Sequence, residues 1–237
     1  MEGGEFMSTL AEIVTQRPPT EEQPSPTRFP EEVHRETVSP ADSIRNEQIQ
    51  TLVQQLFFRQ DSPPLRHVGL APVEAQAETA ALCLQAARVL AEQGTHDVAL
   101  VDAGLSPVPL HTELGIEPPA HCQETPWVIA PRLWLVPRQS WLGDTPPQRV
   151  SHLHLAHLRD LTHEFDFSIL CCAPVSGFTT RIGHSCDGLV LVVTANKTRR
   201  LVAAQIKEQL QKARIPLLGI VLTERRFPIP QGLYRSL

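Results

Sequence analysis

Residues 189–222 read LVLVVTANKTRRLVAAQIKEQLQKARIPLLGIVL. Two apolar runs, 189–194 and 217–222, flank a segment whose apolar residues recur at helical spacing over 198–213. Near-continuous apolar strands on either side of a helix are typical of parallel strands that are buried on both faces. The pattern therefore predicts a β-α-β unit near the end of this sequence.

The same alternation of apolar runs and helical patterns extends upstream. It predicts further strands over 67–71, 98–101, 132–136 and 167–172, with helices over 77–93 and 150–164. Since strands and helices alternate, the strands are expected to lie parallel and to be covered by helices. The sequence thus predicts an α/β domain of three layers, in which a mostly parallel sheet has helices on both faces.

The N-terminal part differs in composition from this domain. Residues 1–38 are rich in proline and glutamate, and residues 1–62 hold eleven acidic and five basic side chains. Such a segment cannot form a core, so 1–38 is predicted to be a disordered tail, with Met7 as a candidate native start. A Ser-Pro pair and an apolar stripe then predict a leading helix within 39–60, followed by the α/β domain over 64–237.

Composition also excludes several classes of function. The net charge is −5, most of it in the tail, and the nearly neutral body offers no basic patch for nucleic acid. There is no run of about 18 apolar residues and no secretion signal, so a cytoplasmic location is expected. The five cysteines form no CxxC pair, which argues against a zinc site or a disulfide framework.

Four histidines raise the question of a metal site. They are His152, His154, His157 and His163, and two of them share a helix face. The simpler interpretation is a partly exposed helix with Leu153, Leu158 and Leu161 turned inward. No cysteine or carboxylate completes a ligand set around them, so we predict no metal.

Several segments, in a fixed order along the chain, resemble one family. They are VALVDAGL (98–105), FDFSIL (165–170), DGLVLVVTANKTRR (187–200), LGIVL (218–222) and RRFPIPQGLYR (225–235). They are similar to the cytosolic domains of bacterial tyrosine autokinases (BY-kinases) of the CpsD/CapB type, relatives of the MinD and ParA ATPases. The resemblance implies a P-loop NTPase-like, Rossmann-like fold and a role with membrane co-polymerases in capsule or exopolysaccharide synthesis.

The resemblance places the family's phosphate-binding loop on a degenerate segment. That segment consists of Glu74, Ala75, Gln76, Ala77, Glu78 and Thr79. The loop needs glycines, a lysine for the β/γ-phosphates and a hydroxyl for Mg²⁺. Alanines stand at the glycine positions Ala75 and Ala77, Glu78 replaces the lysine, and only Thr79 remains. At about 4 Å and an effective dielectric constant near 20, each like-charge pair costs roughly 4 kcal/mol.

Other family positions are also changed. The resemblance places a metal-linked or base carboxylate on Asp102, but its expected partner two residues on is Gly104. It places the Walker B carboxylate on Cys171, and a thiol is a poor ligand for Mg²⁺. The adenine-contacting asparagine falls on Thr223. The family's substrate is a C-terminal tyrosine cluster, and Tyr234 is the only tyrosine in this sequence.

The leading helix carries a partial form of the family's oligomerisation motif. In the family, an acidic-x-x-Arg-x-x-Arg pattern binds a neighbouring subunit. This sequence has Asp42, Arg45 and Gln48 at those positions, so a neutral amide replaces the second arginine. The resemblance implies a homo-oligomer, or pairing with a catalytic paralogue or a Wzz-like membrane co-polymerase, which would place the protein at the inner face of the membrane.

Taken together, the losses predict a pseudokinase without a cofactor, which acts as a scaffold or regulator of polysaccharide synthesis and export. The alternative is an active tyrosine autokinase or ATPase that uses ATP and Mg²⁺ in an unorthodox pocket. A third possibility is that the vacated pocket binds a different small molecule.

Overall fold

The computed structural model describes residues 40–59, 64–75, 78–93, 95–104, 106–120, 124–146 and 149–224. The chain divides into two units, Met1–Val38 and Ser39–Leu237, and every described residue lies in the second. The predicted tail and Tyr234 lie outside the described residues, as do Gln76 and Ala77 of the degenerate loop.

Helices and strands alternate along the described residues, as the sequence predicts. In chain order they are α1 (Pro40–Phe57), β1 (His67–Pro72), α2 (Glu78–Glu92), β2 (Val98–Ala103), α3 (Leu110–Glu113), β3 (Trp127–Ala130), β4 (Leu133–Val136), α4 (Arg138–Leu142), α5 (His152–His163), β5 (Phe167–Cys172), α6 (Gly177–Gly183), β6 (Gly188–Thr194), α7 (Arg200–Lys212) and β7 (Leu217–Thr223).

The strands of the described residues form one sheet in the order β3-β4-β2-β5-β1-β6-β7. All neighbouring pairs are parallel except β3 with β4. Every residue of β1 and β2 is buried, because helices cover both faces of the sheet. The predicted three-layer α/β fold is therefore confirmed.

Two apolar cores hold the layers together, one on each face. The first joins α1 and α2 to the sheet and includes Val53, Leu90 and Val190. The second joins α4, α5, α6 and α7 to the other face and includes Leu158 and Leu191. Burial of each such side chain contributes about 1.5–3 kcal/mol, so the two cores supply most of the driving force for folding.

The leading helix α1 packs into the first core. Its buried side chains recur at helical spacing: Ile49, Val53, Leu56 and Phe57. The ring of Phe57 meets the edge of Phe167 on β5 with centroids 5.5 Å apart. The opposite face of α1 stays polar and exposed, which leaves it accessible to another molecule.

Some local details differ from the sequence prediction. Strand β3 and the helices α4 and α6 were not predicted, because four to seven residues show too little of a period; β4 is as short as β3 but was predicted from its apolar run. The prediction that Leu153 points inward is wrong, since it is 80% exposed near the start of α5. Its neighbour His154 closes a capping box with Ser151 instead, which fixes the first turn of the helix.

Gly188, at the start of β6, allows the close approach of the segment that precedes β7. A Cβ there would lie 2.6 Å from the carbonyl oxygen of Pro216 and 2.8 Å from Leu218 Cγ. We expect Gly188→Ala to lower the free energy of unfolding by about 1–3 kcal/mol, because backbone must move to accept the methyl group. Urea unfolding followed by tryptophan fluorescence measures the change.

Gly219 in the neighbouring strand provides the matched control. Nothing lies within 4 Å of a Cβ built there, so Gly219→Ala should change stability by about 0.5 kcal/mol or less. Equal effects of the two substitutions would contradict the packing described for β6 and β7.

Candidate functional site

The predicted site residues lie at the carboxyl ends of three adjacent strands. Strand β5 lies between β1 and β2, and Cys171 is the register partner of both Leu70 and Asp102. The ends of these strands line a cleft of about 590 Å³, here called the edge cleft. This is where ligands bind in open α/β sheets.

The edge cleft contains four of the predicted site residues: Ala75, Thr79, Asp102 and Cys171. Glu113 of α3 contributes a second carboxylate, and most of the remaining wall consists of residues 172–174 together with Gly104, Ser106, Pro107, Val108 and Leu110. No lysine, arginine or histidine is among the described residues that line it. The described wall is therefore acidic and apolar.

Asp102 holds the segment that follows β2. It is 5% exposed, and its Oδ1 and Oδ2 accept hydrogen bonds from the backbone N–H groups of Gly104 and Leu110, each at 3.1 Å. Burial raises the pKa of Asp102, while these N–H groups and the Arg138 guanidinium oppose the rise. Each carboxyl oxygen of Asp102 thus already accepts one hydrogen bond from the backbone of the loop that follows β2.

Two side chains of helix α4 donate hydrogen bonds to the same segment. Arg138 donates to the carbonyl oxygens of Gly104 and Ser106, at 3.2 and 2.8 Å. The buried indole N–H of Trp141 donates to the carbonyl oxygen of Asp102 at 3.0 Å. These contacts tie the segment that follows β2 to α4, and Arg138 makes both of its hydrogen bonds through Nη1.

Unlike the carboxyl group of Asp102, the side chain of Thr79 holds no loop through a hydrogen bond within the described residues. It lies in the first turn of α2, is 3% exposed and lines the edge cleft. Its Oγ1 is buried and has no hydrogen-bond partner among the described residues. A buried hydroxyl without a partner costs about 1–3 kcal/mol, so this atom needs an explanation.

The two adjacent cysteines at the end of β5 lie on opposite faces of the sheet. Cys171 packs against the first core and borders the edge cleft, whereas Cys172 is buried in the second core. The thiol of Cys171 hydrogen-bonds Cys83 of α2, which together with burial raises the pKa of Cys83. Burial also raises the pKa of Cys172. The buried thiols of Cys83 and Cys172, with their raised pKa values, are poorly suited to nucleophilic chemistry.

The other predicted residues lie in a separate cleft. Arg45 and Gln48 of α1, Glu78 at the start of α2, and Thr223 at the end of β7 line a space of about 550 Å³, here called the helix cleft. The positions that the family resemblance assigns to the nucleotide are thus divided between two clefts. Asp42 lies in α1, but its side chain is outside the described set, and Glu74 is exposed.

Mg²⁺ and ATP do not fit the residues that the structure describes here. The edge cleft offers two carboxylates, two thiols and two hydroxyls, and burial together with the charge of Asp102 raises the pKa of Glu113. Glu78 adds a further carboxylate at the first residue of α2. A triphosphate needs donors and positive charge at this place, and the described side chains supply the opposite.

Sequence reasoning missed three residues of this site: Glu113, Arg138 and Trp141. Each acts through a turn or short helix whose position depends on the tertiary fold. The only available signal was their polar or aromatic character in the segment between β2 and α5, which does not predict a contact with Asp102.

Two negative findings apply to the described residues. No group of three or more His, Cys, Asp and Glu side chains there is arranged to hold a metal ion. His154 is occupied by its bonds to Ser151, and His163 stacks on His67 with ring centroids 4.6 Å apart. None of the helices within that part of the chain is long and apolar enough to cross a membrane.

Comparison with known proteins connects this geometry to the bacterial tyrosine kinases. Tyrosine-protein kinase CpsD of Streptococcus agalactiae serotype III is 29% identical over 100 residues, which is 40% of this chain and 41% of CpsD. A second CpsD sequence from Streptococcus agalactiae is 30% identical over 100 residues. The matched segment thus spans less than half of these curated relatives. No protein-family model matches the sequence.

Solved structures show the same fold over a larger part of the chain. The chimerical protein CapA2B2 superposes with a TM-score of 0.63 and 17% identity, covering 80% of this chain and 87% of that one. The kinase domain of the Escherichia coli tyrosine kinase ETK gives a TM-score of 0.61 at 15% identity, covering 78% and 79%. A ParA family ATPase from Chlorobium tepidum gives 0.54 at 15% identity, covering 72% and 78%.

These findings confirm the resemblance that the sequence predicts. Over 100 residues the chain is similar to tyrosine-protein kinase CpsD, and its fold is the one found in bacterial tyrosine kinase domains and in a ParA family ATPase.

The different tasks of Asp102 and Thr79 lead to a stability prediction. Asp102→Ala should lower the free energy of unfolding by about 2–4 kcal/mol, because two backbone N–H groups lose their acceptor in a buried place. Thr79→Val, which has the same shape, should leave stability unchanged or raise it by up to about 1 kcal/mol. Urea unfolding followed by the fluorescence of buried Trp141 measures both variants. An unchanged midpoint for Asp102→Ala would show that its carboxyl group does not hold the loop.

Proposed function

We propose that this domain of the bacterial tyrosine kinase type is a pseudokinase, which acts as a scaffold or regulator in the synthesis and export of a capsular or other extracellular polysaccharide. The observation that carries the proposal is the charge of the site. Glu78 stands at the lysine position, and the described wall of the edge cleft has two carboxylates and no cationic side chain. Phosphoryl transfer depends on positive charge around the phosphates, and the side chains described in the lining of this cleft supply none.

The loss of metal ligands supports the same conclusion. Cys171 occupies the Walker B position and shares a hydrogen bond with the buried Cys83. Asp102, the carboxyl group that remains, is engaged with the backbone of its loop. Since a hard cation prefers several free oxygens, neither side chain offers a good site for Mg²⁺.

A scaffold acts through a surface, and α1 offers a suitable one. Arg45 is exposed, and no described carboxylate lies within ion-pair distance of it. Since it makes no ion pair within the described part of the chain, its guanidinium could form a bidentate pair with a carboxylate of another chain. We propose a second copy, a catalytic paralogue or a membrane co-polymerase as the partner, which would place the protein at the inner face of the cytoplasmic membrane.

The pseudokinase proposal predicts that ATP does not bind. Isothermal titration with ATP and Mg²⁺ should give no saturable heat at ligand concentrations up to about 1 mM. Incubation with ATP should produce no phosphotyrosine at Tyr234. The matched variant is Glu78→Lys, which restores the family's charge and should increase any residual affinity. Micromolar binding by the natural chain would reject the proposal and favour the active kinase.

The docking proposal predicts that Arg45 matters for association. If the chain self-associates, Arg45→Ala should shift sedimentation towards the monomer, because a cross-interface ion pair is lost while the packing face of α1 is unaffected. Arg59→Ala, just beyond the end of the same helix, is the matched control and should have no effect. A self-association that persists unchanged in Arg45→Ala would show that α1 does not dock through this residue.

A further inference from the structure

We propose that the edge cleft binds an organic cation, namely a guanidinium or ammonium group carried on a small apolar body. The proposal deepens the proposed function, since it rests on the same premise that the cleft no longer binds a triphosphate. It adds the class of ligand that the cleft is built to accept.

The polar groups of the edge cleft match a ligand that donates hydrogen bonds. Thr79 lines the cleft, and its buried Oγ1 has no partner among the described residues, so a ligand donor that reaches this atom would satisfy it. Glu113 places a second acceptor on the solvent side of the same cleft. A guanidinium group carries five N–H donors and no acceptor, which fits a wall of hydroxyl and carboxylate oxygens.

The carboxyl groups around the edge cleft also favour a cationic ligand. Asp102 and Glu113 are close enough for the negative charge of Asp102 to contribute to the raised pKa of Glu113. Arg138, the nearest cation, lies behind the loop and already donates to two backbone carbonyl oxygens. A cation in the cleft would relieve the unfavourable interaction between the carboxyl groups, whereas an anion would add to it.

The shape and the apolar walls select an organic cation over a metal ion. The cleft has a volume of about 590 Å³, within the usual range for small-molecule sites. Pro72, Ala80, Val108 and Pro174 contribute apolar surface to it. A bare divalent ion would need several free oxygens, and both oxygens of Asp102 already accept backbone hydrogen bonds.

A pair of isosteres tests the proposal directly. Butylguanidinium should bind the full chain with a Kd of about 1 mM or tighter in isothermal titration. Butylurea has almost the same shape but no charge, and it should bind at least about 10-fold more weakly. Blocked arginine, N-acetyl-arginine methylamide, is the second arm: tighter binding of it than of butylguanidinium would indicate that the natural source of the cation is an arginine side chain.

Variants then locate the binding. Thr79→Val should weaken butylguanidinium binding about 3–10-fold while leaving the unfolding midpoint unchanged or higher, which a purely structural threonine would not do. Glu113→Gln should weaken it about 3-fold or more, whereas Glu117→Gln, an exposed glutamate on the following segment, is the matched control and should have no effect.

Three results would overturn this assignment: no saturable binding of butylguanidinium, equal binding of butylurea, or unchanged affinity in both Thr79→Val and Glu113→Gln. If the chain binds neither butylguanidinium nor ATP, the ligand assignment fails and the scaffold proposal survives. Micromolar binding of ATP, displacing butylguanidinium, would overturn both.

Discussion

Burial of the sheet on both faces determines where function can lie in this protein. Strands β1 and β2 have no exposed residue, so polar side chains gather where the strands end. Asp102 lies one residue before the end of β2, where the buried strand meets the loop. Its two accepted hydrogen bonds turn the chain towards α3 and so form one wall of the edge cleft. The rest of the site depends on that turn.

Some of the residues between β1 and α2 are ones that local structure prefers. A carboxylate at the first residue of α2 interacts favourably with the helix dipole by about 0.3–1 kcal/mol, so Glu78 suits the helix that it opens. Alanine in place of glycine reduces the entropy lost on folding wherever the backbone angles allow it. These residues favour the stability of α2, whereas the carboxylate of Glu78 would repel a phosphate.

The sequence was sufficient for the architecture because apolar periodicity reports burial. The strand predicted over 167–172 coincides with β5, and the other predicted parallel strands agree within one or two residues. Periodicity fails for short elements, which explains why β3, α4 and α6 were missed. Periodicity also does not predict tertiary contacts. Arg45 and Glu78 line one cleft, whereas Asp102 and Thr79 line another. This arrangement depends on how α1 and α2 pack, which no local sequence pattern encodes.

The remaining family residues separate into those that the fold explains and one that it does not. Asp102 accepts a backbone hydrogen bond from the loop that follows β2, and Cys171 packs against Cys83. The side-chain hydroxyl of Thr79 makes no hydrogen bond in the described structure, although valine would fill the same space without burying an unsatisfied hydroxyl. A cleft with no ligand would be more stable with valine there. The threonine is therefore better explained by a ligand that donates to Oγ1, and the surrounding carboxylates make a cation the natural donor.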